Sequence, residues 1–135
     1  MTREQYLDAL ADNERPLRST DLMSLSDMTP EDLELLGDVW PDIDAGRREG
    51  VLGRLIELSE DNLDADFNDL FRFCLGDENP EVRAKAMEGL WECDDRVLVS
   101  HLITLLGQDP SDNVRAAAAT ALGISSLVYT LDDDD

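Results

Sequence analysis

The side chains of this 135-residue chain that could do chemistry are two cysteines, one histidine and 32 carboxylates. Asp64, Asp66 and Asn68 alternate as the opening of a calcium loop would, but its sixth position is Asp69, where the sharp turn takes glycine. Its twelfth is Leu75, where a bidentate glutamate would close the shell. The stretch reads instead as a helix start with a solvated face. Cys74 and Cys93 lie in apolar-periodic surroundings and share no metal-ligand spacing with His101, so both read as reduced packing residues. Adjacent Asp94 and Asp95 could exchange protons, yet no nucleophile or oxyanion donor stands beside them, and adjacent acids arise by chance at this density. His101, inside a leucine stripe, is expected to be partly buried and hydrogen-bonded. No catalytic residue, metal or cofactor is therefore expected, and the chain reads as a non-enzyme.

Charge narrows the partners. Net charge is -21, from 21 Asp and 11 Glu against 10 Arg and the single Lys85. Nucleic acid binding needs clustered Lys and Arg that release condensed counterions, so a surface this negative excludes it. The excess of Asp with almost no Lys fits either a high-salt habitat or a well-solvated surface. The N-terminus begins with charge and has no apolar run of the secretory kind, which points to the cytoplasm. The longest uncharged run, Ala116 to Leu131, is interrupted by Thr120, Gly123, Ser125, Ser126 and Thr130, so no membrane anchor is expected.

These residues are positioned by a repeat. Asp77-Glu-Asn-Pro-Glu-Val-Arg-Ala-Lys-Ala recurs 32 residues later as Asp109-Pro-Ser-Asp-Asn-Val-Arg-Ala-Ala-Ala, matching Asp77 to Asp109, Arg83 to Arg115 and Leu90 to Leu122. Asn79 before Pro80 marks a helix to about Trp91, and Ser111 one to Leu122 ended by Gly123. Asp95 can cap a helix carrying Leu98, Leu102, Leu105 and Leu106, stopped by Gly107. Upstream, Thr29-Pro30 starts a helix that Pro41 ends. Asp44 can cap the next, with Val51, Leu52, Leu55 and Ile56 inward, and Phe67, Leu70, Phe71 and Cys74 share a face of a helix over 65–75. Three helical hairpins result, 29–59, 65–91 and 95–122, about the minimum for a stacked array. Thr2 and Gln5 can box the start of a separate helix over 2–11, with 12–28 as a connecting segment. Residues 124–135 read as a partial helix and acidic tail, either a cap or the start of a further hairpin.

The Asp-x-x-Pro-x-Val-Arg-x-x-Ala and Ala-Leu-Gly motifs resemble those of HEAT-like repeat proteins, in particular the short-repeat type named after phycobilisome lyases. The resemblance is good over 77–123, looser over 29–76, and absent from 1–28; Asp112 stands where the first copy has Pro80. It implies an all-α, right-handed α-solenoid of about three HEAT-like hairpins with an N-terminal helical extension. It further implies that the second helix of each hairpin, at 44–59, 80–91 and 112–122, lines a concave side. Asp77, Arg83, Asp109 and Arg115 would form a structural ladder between repeats. Among enzymes of similar fold, di-iron hydroxylases need several histidines and DNA glycosylases need a basic groove, both lacking here. For bilin lyases no residue marks a chromophore pocket.

The resulting expectation is a scaffold that binds a protein partner, a basic one in particular, on a concave acidic surface containing Lys85, Glu88, Trp91, Glu92 and Thr120. Alternatives are an accessory subunit of a lyase or other small-molecule-handling enzyme, or a fragment of a longer structural solenoid.

Overall fold

Helices begin where a short polar side chain can satisfy the orphan amides of a first turn. The computed structural model describes residues 2–90 and 96–122. Thr2 and Gln5 cap each other at α1 (Arg3–Ala11), and Thr29 and Asp32 do so at α3 (Pro30–Val39). The Thr29 N–H bonded to Asp32, aided by the Thr29 hydroxyl and Arg3, holds the Asp32 carboxyl below the usual carboxylate range against the opposing effect of desolvation. Asn79 accepts from the Glu81 and Val82 N–H groups at α6 (Pro80–Gly89), and Ser111 accepts from Val114 N–H at α8 (Asp112–Ala121). The remaining helices are α2 (Ser19–Met23), α4 (Ala45–Asp61), α5 (Asn68–Cys74) and α7 (Arg96–Gln108).

Several local expectations shift. Asp44 sits at the N-cap of α4 but its side chain makes no capping bond. Its N–H instead donates to Asn13 Oδ1 at 3.2 Å, which ties the turn to the N-terminal segment. Pro41 ends α3 through a 3-10 turn over Trp40–Asp42. Helix α5 starts at Asn68 rather than near 65, because Asp66 Oδ1 accepts the Asn68 N–H in a side-chain turn and seats Phe67 in the core just ahead of the helix. The segment over 12–28, expected to be a connection, contains α2. Helix α6 ends at Gly89 with Leu90 as its C-cap, short of the expected Trp91. The expected Asp95 cap, Gly123 and the 124–135 tail lie outside the described residues.

The helices stack in two layers. One runs α2, α4, α6, α8, each packed on the next; the other has α1 on α3 and α3 on α5. Between layers, α1 touches α2, α5 packs on α6, and α7 on α8. The protein is therefore an all-α, solenoid-like array, and no strand occurs among the described residues. The α1–α2 pair continues both layers at the N-terminal end, burying Leu7, Leu10, Leu22, Leu25 and Met28, the role a terminal repeat has in covering an otherwise open apolar face.

The core follows the apolar stripes. Val51, Leu52 and Leu55 of α4, Leu70, Phe71 and Cys74 of α5, Val82, Ala86 and Met87 of α6, Leu98 and Leu102 of α7, and Val114 and Ala118 of α8 are all buried. Phe67 and Phe71 meet edge to face at 6.5 Å. The tip of the Phe71 ring sits against Gly89, where an added Cβ would stand 2.5–2.7 Å from Cζ, Cε1 and Cε2. The residue is 1% exposed, so making room would disturb its packing. Gly89→Ala should therefore destabilise the protein by about 1–3 kcal/mol through overpacking. An unchanged urea midpoint would contradict the seating of Phe71 on α6.

Candidate functional site

The inner polar feature is a ladder of arginines and aspartates. Arg48 Nη1 donates to Asp77 Oδ2 at 3.2 Å, with both side chains almost wholly buried. One repeat on, Arg83 grips Asp109 with two bonds, Nε to Oδ2 at 2.8 Å and Nη2 to Oδ1 at 3.0 Å. Each aspartate also orders its own loop: Asp77 Oδ1 accepts the Asn79 N–H and Asp109 Oδ1 accepts the Ser111 N–H, both at 2.9 Å. Each arginine reaches back to the preceding aspartate, since Arg83 Nη1 donates to the Asp77 carbonyl and Arg115 Nη1 to the Asp109 carbonyl, both at 2.7 Å. Arg115 also pairs with Asp112.

Asp77, Arg83, Asp109 and Arg115 all take part in the ladder, as the resemblance implies, and Arg83–Asp109 is a cross-repeat pair. Arg48 adds the rung to Asp77, and Trp40 Nε1 donates to the same Oδ2 at 2.7 Å. Trp40 is core, as expected from its place at the hairpin turn, and is also a hydrogen-bond donor to the ladder.

On the face of the α4–α6–α8 layer lies an open groove of about 850 Å³. On α6, Glu81, Ala84, Lys85 and Glu88 recur at spacings of three, one and three, so they share one side of the helix. On α4, Glu49, Ile56 and Glu60 do the same at seven and four, and Ala117, Thr120 and Ala121 come from α8. The floor is apolar and the rim acidic. Lys85 Nζ lies 3.2 Å from Glu88 Oε2, and its stem crosses towards α4 over Gly53, where a Cβ would stand 3.4 Å from Lys85 Cε. No ion pair involves Glu49, Glu60 or Glu81 among the described residues.

Of the five candidate contact residues, Lys85, Glu88 and Thr120 line this one groove; Trp91 and Glu92 lie outside the described residues. Sequence reasoning overlooked the α4 contribution. The signal was available, because Glu49, Ile56 and Glu60 flank the buried stripe of α4 as Lys85 and Glu88 flank that of α6. His101 is a correction: it is exposed. It sits about 60° around the helix from Leu98, away from Leu102 and beyond the edge of the buried stripe. Cys74 is buried, and burial, aided by the nearby Asp77, pushes its thiol far up despite Arg48, so it is inert as a nucleophile. Cys93, Asp94 and Asp95 lie outside the described residues. A narrow hollow lined by Tyr6, Leu10, Leu22 and Arg47 measures about 10 Å³, room for about one water. No helix among the described residues is long and apolar enough to cross a membrane.

Burial pushes the Asp109 carboxyl up, but the hydrogen bonds from Arg83 and the Ser111 N–H, with the charges of Arg83 and Arg115, outweigh it and hold the group below its ordinary range. The folded value is thus under the unfolded value of about 3.9. The stabilisation is complete above that pH and is lost as pH falls through the folded value. Asp109→Asn should cost about 3 kcal/mol at pH 7, as expected when a buried pair loses one charge. The gap between wild type and variant in urea unfolding should narrow on going from pH 7 to below pH ~3. A gap that stays constant would contradict an ionised Asp109.

The family model described as HEAT repeats matches residues 68–133, somewhat under half of the chain. No curated protein and no solved structure matches. HEAT repeats commonly serve as protein-interaction scaffolds, and the match, together with the two-layer stack, supports a HEAT-like repeat family for this chain.

Proposed function

We propose that the protein is a non-enzymatic scaffold that binds a protein partner in the α4–α6–α8 groove, and that this layer is the concave side of the stack. The curvature is supported by packing, since α4, α6 and α8 lie closely against one another while α3 and α5 touch more lightly. The observation that carries the reading is the make-up of the groove: an apolar floor of Ile56, Ala84, Met87 and Ala117 bordered by the carboxylates of Glu49, Glu60 and Glu81, which form no ion pair among the described residues. Apolar contacts desolvated at the centre supply affinity, and the acidic rim, within a field of net charge -21, steers a basic partner and repels acidic ones.

Lys85, Glu88 and Thr120 are contact residues in this reading, and Trp91 and Glu92 extend the contact surface beyond the end of α6 in sequence. The 32-residue spacing supports the phycobilisome-lyase type of HEAT-like repeat as the subfamily. The accessory-enzyme alternative calls for a deep apolar pocket with converging polar groups. The open groove and the water-sized cavity beside α1 favour the scaffold over it.

The test is affinity capture from the source organism's lysate with wild type and with Thr120→Arg, an exposed position where added bulk and positive charge would oppose a basic ligand. A basic protein retained by wild type at low salt, released at high salt and lost with Thr120→Arg is the expected result. Retention unchanged by Thr120→Arg would remove the groove as the docking face, and no retention under either condition would remove the scaffold reading.

A further inference from the structure

We propose that the partner is an extended basic segment that runs along the groove and continues past Glu60 into a second acidic hollow at the end of α4. This rests on the groove being the docking face and specifies what occupies it. The second hollow, about 720 Å³, is bounded by Glu60, Leu63, Asp64, Asp66, Asp27 and Phe71. Glu60 lines both depressions, which places them side by side, and in this proposal the ligand crosses from one to the other there.

The second rim is built by two loops held together. Asp27 adopts a left-handed backbone (φ 56°), its N–H donates to the Asp66 carbonyl at 2.7 Å, and Ser26 Oγ accepts the Asp66 N–H at 2.8 Å. Asp27, Asp64 and Asp66 are thereby brought to one hollow, all exposed, with no cation paired to them among the described residues. Beside them Leu63 is 94% exposed, an apolar contact aimed at solvent.

Along the track the ionisable lining among the described residues is Glu49, Glu60, Glu81, Glu88, Asp27, Asp64 and Asp66 against Lys85. Among the described residues no arginine lines either depression. Arg15, Arg47, Arg48, Arg54, Arg83 and Arg115 are bonded to main-chain carbonyls or carboxylates outside them, and Arg3 to the Ser24 and Ser26 carbonyls behind the second rim. A ligand charged opposite to this lining must carry several cations with apolar residues between them. Glu49 to Glu60 spans about 16 Å along α4, and the second hollow lies beyond the end of α4, beside the Asp27 loop. An extended chain of about five residues covers the first stretch, and one of about ten reaches past Glu60.

The experiment uses fluorescein-labelled peptides alternating arginine with serine and leucine, one of about ten residues and one of about five, titrated with the full chain at low salt. Three variants are compared: Glu49→Gln/Glu60→Gln/Glu81→Gln in the groove, Asp27→Asn/Asp64→Asn/Asp66→Asn in the second hollow, and Glu4→Gln/Glu14→Gln/Glu34→Gln elsewhere as a charge-matched control. Asparagine tolerates the left-handed backbone at position 27 and can accept the Asn68 N–H at position 66. Thermal unfolding by circular dichroism confirms that each variant is folded. The longer peptide should lose roughly fivefold or more in affinity with either track variant and little with the control, while the shorter peptide responds to the groove variant alone. Loss with the groove variant only would overturn the continuous track and leave the groove reading standing. Equal loss with the control, or no binding of either peptide, would overturn the track as a specific site; no binding at all would also count against the groove.

Discussion

The cross-repeat pairing of arginine with a buried aspartate is the constraint on which the rest of this structure depends. Each carboxylate does two jobs: Oδ1 caps the loop that starts its own hairpin's second helix, and Oδ2 receives the arginine of the preceding repeat, joined in Asp109 by Oδ1. Register between repeats and local helix initiation are thus set by the same atoms. The cost of desolvating such a pair is high, and replacing it with apolar residues can leave stability unchanged or improved, so its contribution here is read as alignment more than net stabilisation. Alignment is what a stack of short helices lacks when its only other interaction is non-directional apolar burial.

That use of arginine shapes the surface. The guanidinium of Arg47 binds the Leu10 and Arg15 carbonyls, and Arg54 binds the Leu17 carbonyl and Ser19, pinning the N-terminal segment to α4. Arg3 reaches the Ser24 carbonyl from the other side. With Arg3, Arg47, Arg54, Arg83 and Arg115 bonded to main-chain carbonyls, many carboxylates are left outside without a cation beside them among the described residues. The groove on α4, α6 and α8 inherits this bias while keeping an apolar floor, because its helices expose alanine and isoleucine beside the buried stripe.

Much of the fold was legible because the helix signals are local. Thr2, Thr29, Asn79 and Ser111 cap where a short polar residue precedes an apolar period. Less legible were features set by tertiary contact. Helix α2 has five residues and no side-chain cap at Arg18, and it exists through its packing on α4. Arg48 and Asp77 are 29 residues apart whereas Arg83 and Asp109 are 26 apart, so the first rung breaks the spacing that makes the second visible. The apolar stripe of α7 suggested a sheltered His101, but a stripe has an edge, and a residue at that edge is decided by what packs alongside. Lys85, Glu88 and Thr120 follow from asking which residues flank the buried stripes of the second helices; the α4 residues Glu49 and Glu60 answer the same question but are not among the candidates.

The most direct measurement is native-state hydrogen exchange on wild type and on Arg83→Met. If the Arg83–Asp109 rung joins neighbouring repeats, the amides of α6 and α8 should open together with one free energy in wild type, and α8 should open separately and more readily in the variant. Independent opening of α8 already present in wild type, with no further change in Arg83→Met, would contradict the ladder as the element that holds the repeats in register.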